Sequence, residues 1–297
     1  MNAGAKLLEP STQCSKVSPS SLLSALWRTS ILPVTANRGA RISTMHRACT
    51  AFAALALVAC RSPGLASIAE AASAPAGTAL VELFTSEGCS SCPPADAVLA
   101  DLARTNRSVY ALAFHVDYWN ELGWPDRFSS PEFTARQRRY AAAFGETGMF
   151  TPQMIVNGLE QFTGSDRARA DESIGRALAH APMVPLSVRA RATEASLVTV
   201  DYQAPDAPVD SVIDVAVVER SAATEVHGGE NAGQTLRHAN VVRTFFTALL
   251  QASGSAVVRV PASVRRDNGE VIACVQHPAT NRPGLPVLGC ARAALPP

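Results

Sequence analysis

Ala79-Leu80-Val81-Glu82-Leu83-Phe84, followed by Cys89-Ser90-Ser91-Cys92 and then Pro93-Pro94-Ala95-Asp96, is the stretch on which the reading of this chain turns. The first run is apolar and of strand length, and Ala95–Ala103 is patterned as a helix, so the C-x-x-C falls at a strand-to-helix junction. There the first sulfur sits beside unpaired backbone N–H groups and the positive end of a helix dipole, both of which favour the thiolate. Only the thiolate attacks disulfides. A lone C-x-x-C is also half of a zinc site, so the motif needs company.

That company comes sixty residues on, in Thr151-Pro152-Gln153-Met154-Ile155-Val156-Asn157-Gly158, a proline step into a short apolar strand that closes on Asn-Gly. The step resembles the one before the third strand of the thioredoxin fold. That resemblance implies a cis proline here, with an ordinary trans proline at a strand start as the alternative. Cis bonds are essentially a proline phenomenon at turns. Between the two motifs the pattern gives a strand over Val109–His115 and a helix over Pro131–Phe144. After them come a strand near Glu160–Thr163 and a helix capped by Ser165 or Asp166 and running to His180.

From Ala79 to about His180 this order resembles the thioredoxin superfamily. Three stretches narrow the resemblance: Cys89-Ser-Ser-Cys-Pro-Pro-Ala-Asp, His115-Val-Asp-Tyr-Trp-Asn-Glu-Leu-Gly-Trp, and Gly229-Glu-Asn-Ala-Gly-Gln-Thr-Leu-Arg-His. Over Ala79 to Ala294 the chain looks like a bacterial family of exported thioredoxin-like proteins classed as a domain of unknown function. The resemblance implies an α/β thioredoxin-like domain with a helical insertion over 79–181. After it, period-two runs from Leu186 to Val275 predict a smaller antiparallel β-sandwich-like module over 186–295. Arg237–Leu250 is ambiguous between strand and helical turn.

The N-terminus reads as targeting sequence. Met45-His46-Arg47 is a basic opening, Ala48–Ala59 a short apolar run, and Ala69-Glu70-Ala71 offers small residues at cleavage spacing. Residues 45–71 are thus expected to be a signal peptide, with 1–44 a non-native or disordered extension. Leu57-Val58-Ala59-Cys60 matches a lipobox, so a lipid anchor at Cys60 and a chance cysteine both stand open. The protein is expected in the periplasm or secreted. Of seven cysteines, Cys89, Cys92, Cys274 and Cys290 lie beyond residue 71. An even number in an exported chain permits two bridges, and Cys274 could meet Cys290 across a hairpin, or each could be a separate buried thiol. Residues 72–297 keep 19 basic and 23 acidic side chains, a net charge of −4, and no basic stripe with interleaved aromatics. Nucleic acid is therefore not an expected partner, nor is a membrane span.

The expected chemistry is thiol–disulfide exchange, with Cys89 the exposed nucleophile and Cys92 the resolving thiol. Thr151 and Pro152 would shape a substrate groove, and Trp119 and Trp124 would either line it or pin the inserted segment. Partners would be protein or small-molecule thiols and disulfides, with no cofactor and no resident metal. Thioredoxin itself has a buried acid six residues before its first cysteine, where this chain has Leu83. Glu82 points to the other face of its strand and Glu87 reads as solvated, so resolution by Cys92 looks short of an internal base. His115 reads as a strand-end histidine, and Arg136, Arg138 and Arg139 as a solvated helix face. The His227-to-His238 spacing fits no zinc pattern, and Glu225–His238 reads as a polar loop packed on the first half. Two rivals remain: a copper or other soft-metal site using Cys89, Cys92 and His115, and an interaction module whose disulfide is structural.

Overall fold

The computed structural model describes residues 77–278 and 283–297. The signal peptide, the Cys60 lipobox and the 1–44 extension lie outside the described residues. Strand β1 (Ala79–Thr85) leads through the C-x-x-C into helix α1 (Pro93–Thr105), and β2 (Val109–His115) returns parallel to β1. A connection with a single 3-10 turn at Asn120–Leu122 reaches α2 (Pro131–Phe144), then β3 (Gln153–Val156), β4 (Glu160–Thr163) and α3 (Arg167–Leu178). The rest is strand: β5 (Ser187–Glu194), β6 (Leu197–Gln203), β7 (Val212–Glu225), β8 (Thr235–Leu249), β9 (Ser253–Arg259), β10 (Gly269–Gln276) and β11 (Val287–Ala294).

Local signals explain several element ends. Prolines at the first two positions of α1 cost no helical hydrogen bond. Ser130 caps α2 by accepting from the Glu132 N–H, and Gly145 ends it at φ 76°. Asp166 caps α3 by accepting from the Arg169 N–H. Asn157 and Gly158, both at positive φ, turn the chain in the three-residue connection between β3 and β4.

The expectation of an α/β thioredoxin-like domain followed by a smaller β-sandwich-like module is corrected. The described chain is mostly β, with eleven strands and three α-helices. Eight strands form one mixed sheet in the order β11-β10-β7-β8-β2-β1-β3-β4, and β5-β6-β9 form a second, three-stranded sheet. The join is β8, which pairs parallel with β2 at Ala113 and Val241 and antiparallel along β7. Beside that register point the Asn240 side chain donates to the Ala111 carbonyl, 3.0 Å. Period-two patterning marks strands well, but which strands pair is long-range information that patterning does not carry. Arg237–Leu250 is strand, not helical turn.

The core follows the alternation of β1. Val81 and Leu83 face Leu99, Leu102, Ala170 and Ile174 of α1 and α3, whereas Leu80 and Phe84 face Phe133 and Tyr140 of α2. The three-stranded sheet covers the far half, packing Val198, Val200 and Val258 on Val215, Val217 and Val271. Cys274 and Cys290 are bonded across the β10–β11 pair, so the hairpin bridge forms.

Arg136 is 2% exposed, not solvated like its neighbours Arg138 and Arg139. Its guanidinium reaches Glu82 of β1 at 2.6 Å and Asp214 of β7 at 3.0 Å, between the rings of Phe114, Tyr140 and Phe245. Tyr140 donates its hydroxyl to Glu82 and accepts from the Gln276 amide. Burial costs an ion several kcal/mol, and here two carboxylates and three aromatic faces offset it. Arg136→Met strands two buried carboxylates and is expected to cost about 3–5 kcal/mol of stability in a denaturant titration. Arg138→Met should change it by no more than about 0.5 kcal/mol.

Candidate functional site

The site lies where β1 and β2 end, between α1 and the tip of the β7–β8 hairpin. Cys89 and Cys92 are bonded to each other, with Cα atoms 5.4 Å apart. Cys92 is the N-cap of α1 in right-handed helical conformation, so Cys89 stands one turn ahead of the helix. The Thr151–Pro152 bond is cis, and the Thr151 hydroxyl lies 3.4 Å from the Cys89 sulfur. Ser91 Oγ is 3.3 Å from the same sulfur. The indole N–H of Trp119 donates to Thr151 Oγ1 at 2.9 Å. Thr151, Pro152 and Trp119 are therefore gathered at the disulfide, while Trp124 donates to Glu87 Oε2 one step behind it, at 2.8 Å.

Neither cysteine sulfur is open to solvent. Cys89 and Cys92 are each 0% exposed, although Ser90 and Ser91 between them are exposed. The hairpin tip grips the backbone around them. Asn231 donates to the carbonyls of Glu87 and Cys89 at 2.9 and 3.0 Å, and Glu230 accepts from the Ser90 N–H at 2.9 Å. Gly228 approaches so closely that a Cβ there would stand 2.4 Å from the Gly123 carbonyl, which only glycine permits. The Glu225–His238 segment thus packs on the first half of the chain, as its composition suggested.

Behind the disulfide is a buried set of ionisable groups that sequence reasoning missed. Glu87 is 0% exposed, not solvated. Its second oxygen receives the His238 Nε2 proton at 3.1 Å. His115 Nδ1 meets Asp126 Oδ2 at 2.7 Å, and Asp126 also accepts from the backbone N–H groups of Glu87 and Phe128. The two imidazoles cross edge to face with centroids 4.9 Å apart, and Phe128 packs on both. Among the described residues, His115 Nε2 and His238 Nδ1 have no hydrogen-bond partner. Asp96, on the first turn of α1, completes the set with its Oδ2 4.0 Å from His238 Nδ1. A signal existed in the two histidines, but they are 123 positions apart and no spacing rule joins them.

Burial raises the Asp96 carboxyl to about 6, even though His115 and His238 draw it down. Burial disfavours the charged His115, but Asp126 beside it outweighs burial and lifts the imidazole above its usual range. Asp126 and Glu87, despite burial, are held below the carboxylate range by His115 and by the His238 hydrogen bond respectively. Among the described residues no three His, Cys, Asp or Glu side chains lie together in a metal-holding arrangement, so Cys89, Cys92 and His115 do not form one.

A family model described as "Protein of unknown function (DUF1223)" matches residues 80–276. The chain belongs to the DUF1223 family. It is also similar to the crystal structure of a protein from Agrobacterium tumefaciens, at 30% identity and a TM-score of 0.57, over 75% of this chain and 96% of that one. A domain of the outer membrane lipoprotein Omp28 from Porphyromonas gingivalis matches at 14% identity over 38% of this chain and 88% of that one. Its TM-score is 0.21. No curated protein matches. Among the described residues no helix is long and apolar enough to cross a membrane.

Asp96 yields a stability prediction. Its carboxyl ionises near 3.8 in the unfolded chain and about 6 in the fold. Between those values the folded chain holds the extra proton, so stability falls as pH rises from about 4 to 6 and stays lower above. Asp96→Asn removes that loss. It is expected to raise the unfolding free energy at neutral pH by up to about 3 kcal/mol, and to leave it unchanged below about pH 4, in parallel denaturant titrations.

Proposed function

We propose that this DUF1223 protein is a thiol–disulfide oxidoreductase working outside the cytoplasm, with Cys89 and Cys92 cycling between dithiol and disulfide. The observation that carries this reading is the Cys89–Cys92 bond at the N-terminus of α1, with the Thr151 hydroxyl 3.4 Å from the Cys89 sulfur. A helix N-terminus and a neighbouring hydroxyl both stabilise a thiolate, which lowers the cysteine pKa and makes it the better leaving group. Cys89 attacks a substrate disulfide, and Cys92 resolves the mixed disulfide. Thr151 and Pro152 flank the sulfur on one side and Trp119 orients Thr151 by its indole N–H. Trp124 fixes Glu87 and through it the loop that carries Cys89. Substrates are protein or small-molecule thiols and disulfides. The periplasmic or secreted location, with lipid anchoring at Cys60 as its variant, rests on the 45–71 sequence pattern.

The complete burial of both sulfurs favours a second reading, in which the bond is structural and the domain is an interaction module. The two readings part on one measurement. Equilibrated with glutathione buffers and followed by tryptophan fluorescence, a redox protein shows a reversible two-electron transition, near about −120 mV for an oxidant or about −270 mV for a reductant. A structural bond shows none above about −300 mV. Cys92→Ser is expected to accumulate mixed disulfides through Cys89, visible on non-reducing gels and cleared by dithiothreitol. Cys89→Ser should accumulate none. If Cys89→Ser merely unfolds the protein and Cys92→Ser traps nothing, the structural reading stands.

A further inference from the structure

The resolving step needs a destination for the Cys92 proton, and five buried ionisable groups on five separate segments gather behind the disulfide. Glu87 follows β1, Asp96 is on α1, His115 ends β2, Asp126 lies on the connection to α2, and His238 is on β8. Two of the three carboxylates are fully engaged. Glu87 receives His238 on one oxygen and Trp124 on the other. Asp126 receives His115 and the Glu87 N–H on one and the Phe128 N–H on the other.

Asp96 differs in two ways. It stands four residues after Cys92, which itself has helical φ and ψ, and its backbone N–H donates to the Cys92 carbonyl at 3.1 Å. Side chains so related share one helix face, with Cβ atoms about 5–6 Å apart. Asp96 also borders an open groove between α1 and β8, lined by Pro93, Ala97, Arg104, Gln234 and Arg237. It is 7% exposed, whereas Glu87 and His115 are 0%. Asp96 thus shares a helix face with Cys92 and borders the groove.

We infer that Asp96 is the proton acceptor for Cys92, taking its thiol proton during resolution and passing it to solvent through the α1–β8 groove. The inference rests on the oxidoreductase reading above. In the reductive direction the Cys89 thiolate attacks a substrate disulfide, forming a Cys89–substrate bond and releasing one substrate thiolate. Cys92 then gives its proton to the Asp96 carboxylate, and its sulfur attacks Cys89. The Cys89–Cys92 bond forms, the Cys89–substrate bond breaks, and the second substrate thiolate leaves with the electron pair. In the oxidative direction, with a dithiol as substrate, the Asp96 carboxylic acid returns a proton to Cys92 as it departs.

The charges around Asp96 suit an exchangeable proton. Glu87 and Asp126 are anionic, His115 and His238 face Asp96 from β2 and β8, and Arg104 and Arg237 border the groove on its outer side. A carboxyl that burial lifts to about 6 is ionised at neutral pH yet basic enough to take a proton from a thiol.

The test uses the reduced protein mixed rapidly with one equivalent of dithiobis(nitrobenzoate), which releases one coloured thiolate on attack by Cys89 and a second on resolution by Cys92. Asp96→Asn keeps the shape and removes the base. It is expected to leave the first release within about twofold and to slow the second by roughly 100-fold, the ordinary contribution of a general base. In the wild type the second release should rise with pH to a plateau above about 6, and in the variant it should keep rising with thiol ionisation. Cys92→Ser marks the baseline by giving the first release alone. An unchanged second phase overturns the inference, and so does equal slowing of both phases, which would place Asp96 behind Cys89. Absence of either release in the wild type overturns the oxidoreductase reading and this inference with it.

Discussion

A single guanidinium ties the described chain together. Arg136 of α2 reaches Glu82 on β1 and Asp214 on β7, residues 132 positions apart, in a space closed by Phe114, Tyr140 and Phe245. None of the three charges is tolerable there alone, because each buried ion costs several kcal/mol without its partners. Glu82 is the charged residue in β1, and the alternation of that strand delivers it to the α2 face. Strand pairing then brings Asp214 to the same point. An ion set of this kind selects one arrangement of the sheet among several that hydrophobic burial alone would permit.

The elements were largely legible and their assembly was not. The Cys89–Cys92 junction, the Asn157-Gly158 turn, the cap of α3 and the α2 boundaries follow from rules that span a few residues. The β2–β8 pairing, which makes one eight-stranded sheet, depends on a single register point between Ala113 and Val241. No local pattern encodes it. Arg136 misled for a related reason. It sits in a run with Arg138 and Arg139 that reads as a polar stripe, yet i and i+2 on a helix point to different faces, and its carboxylates come from two distant strands. At the site, the gathering of Cys89, Cys92, Thr151 and Trp119 was readable because each belongs to a local motif. Glu87, Asp96, Asp126 and His238 were not, since each acquires its meaning from a neighbour far along the chain.

The site has two walls of different origin. One is the junction of β1 and α1 with the cis Thr151–Pro152 step, and it holds the sulfurs. The other is the β7–β8 hairpin tip, whose Asn231 and Glu230 grip the backbone around Cys89 and whose stem supplies His238. The second wall holds the backbone that carries the sulfurs and completes the ionisable set behind them. Burial therefore sharpens every electrostatic interaction at the disulfide, because fewer waters screen it.

The spacing of the four cysteines among the described residues also bears on how the chain is made. Four cysteines allow three pairings. Cys89 and Cys92 are three residues apart, whereas Cys274 and Cys290 are 16 apart and follow far downstream. Synthesis runs from the N-terminus, so the first pair emerges together and, among the described residues, meets no further thiol until Cys274 appears, by which time it can already have closed. The order of appearance then leaves the late pair with only each other. Pairing fidelity is thus written into the sequence as timing, independent of any property of the finished fold.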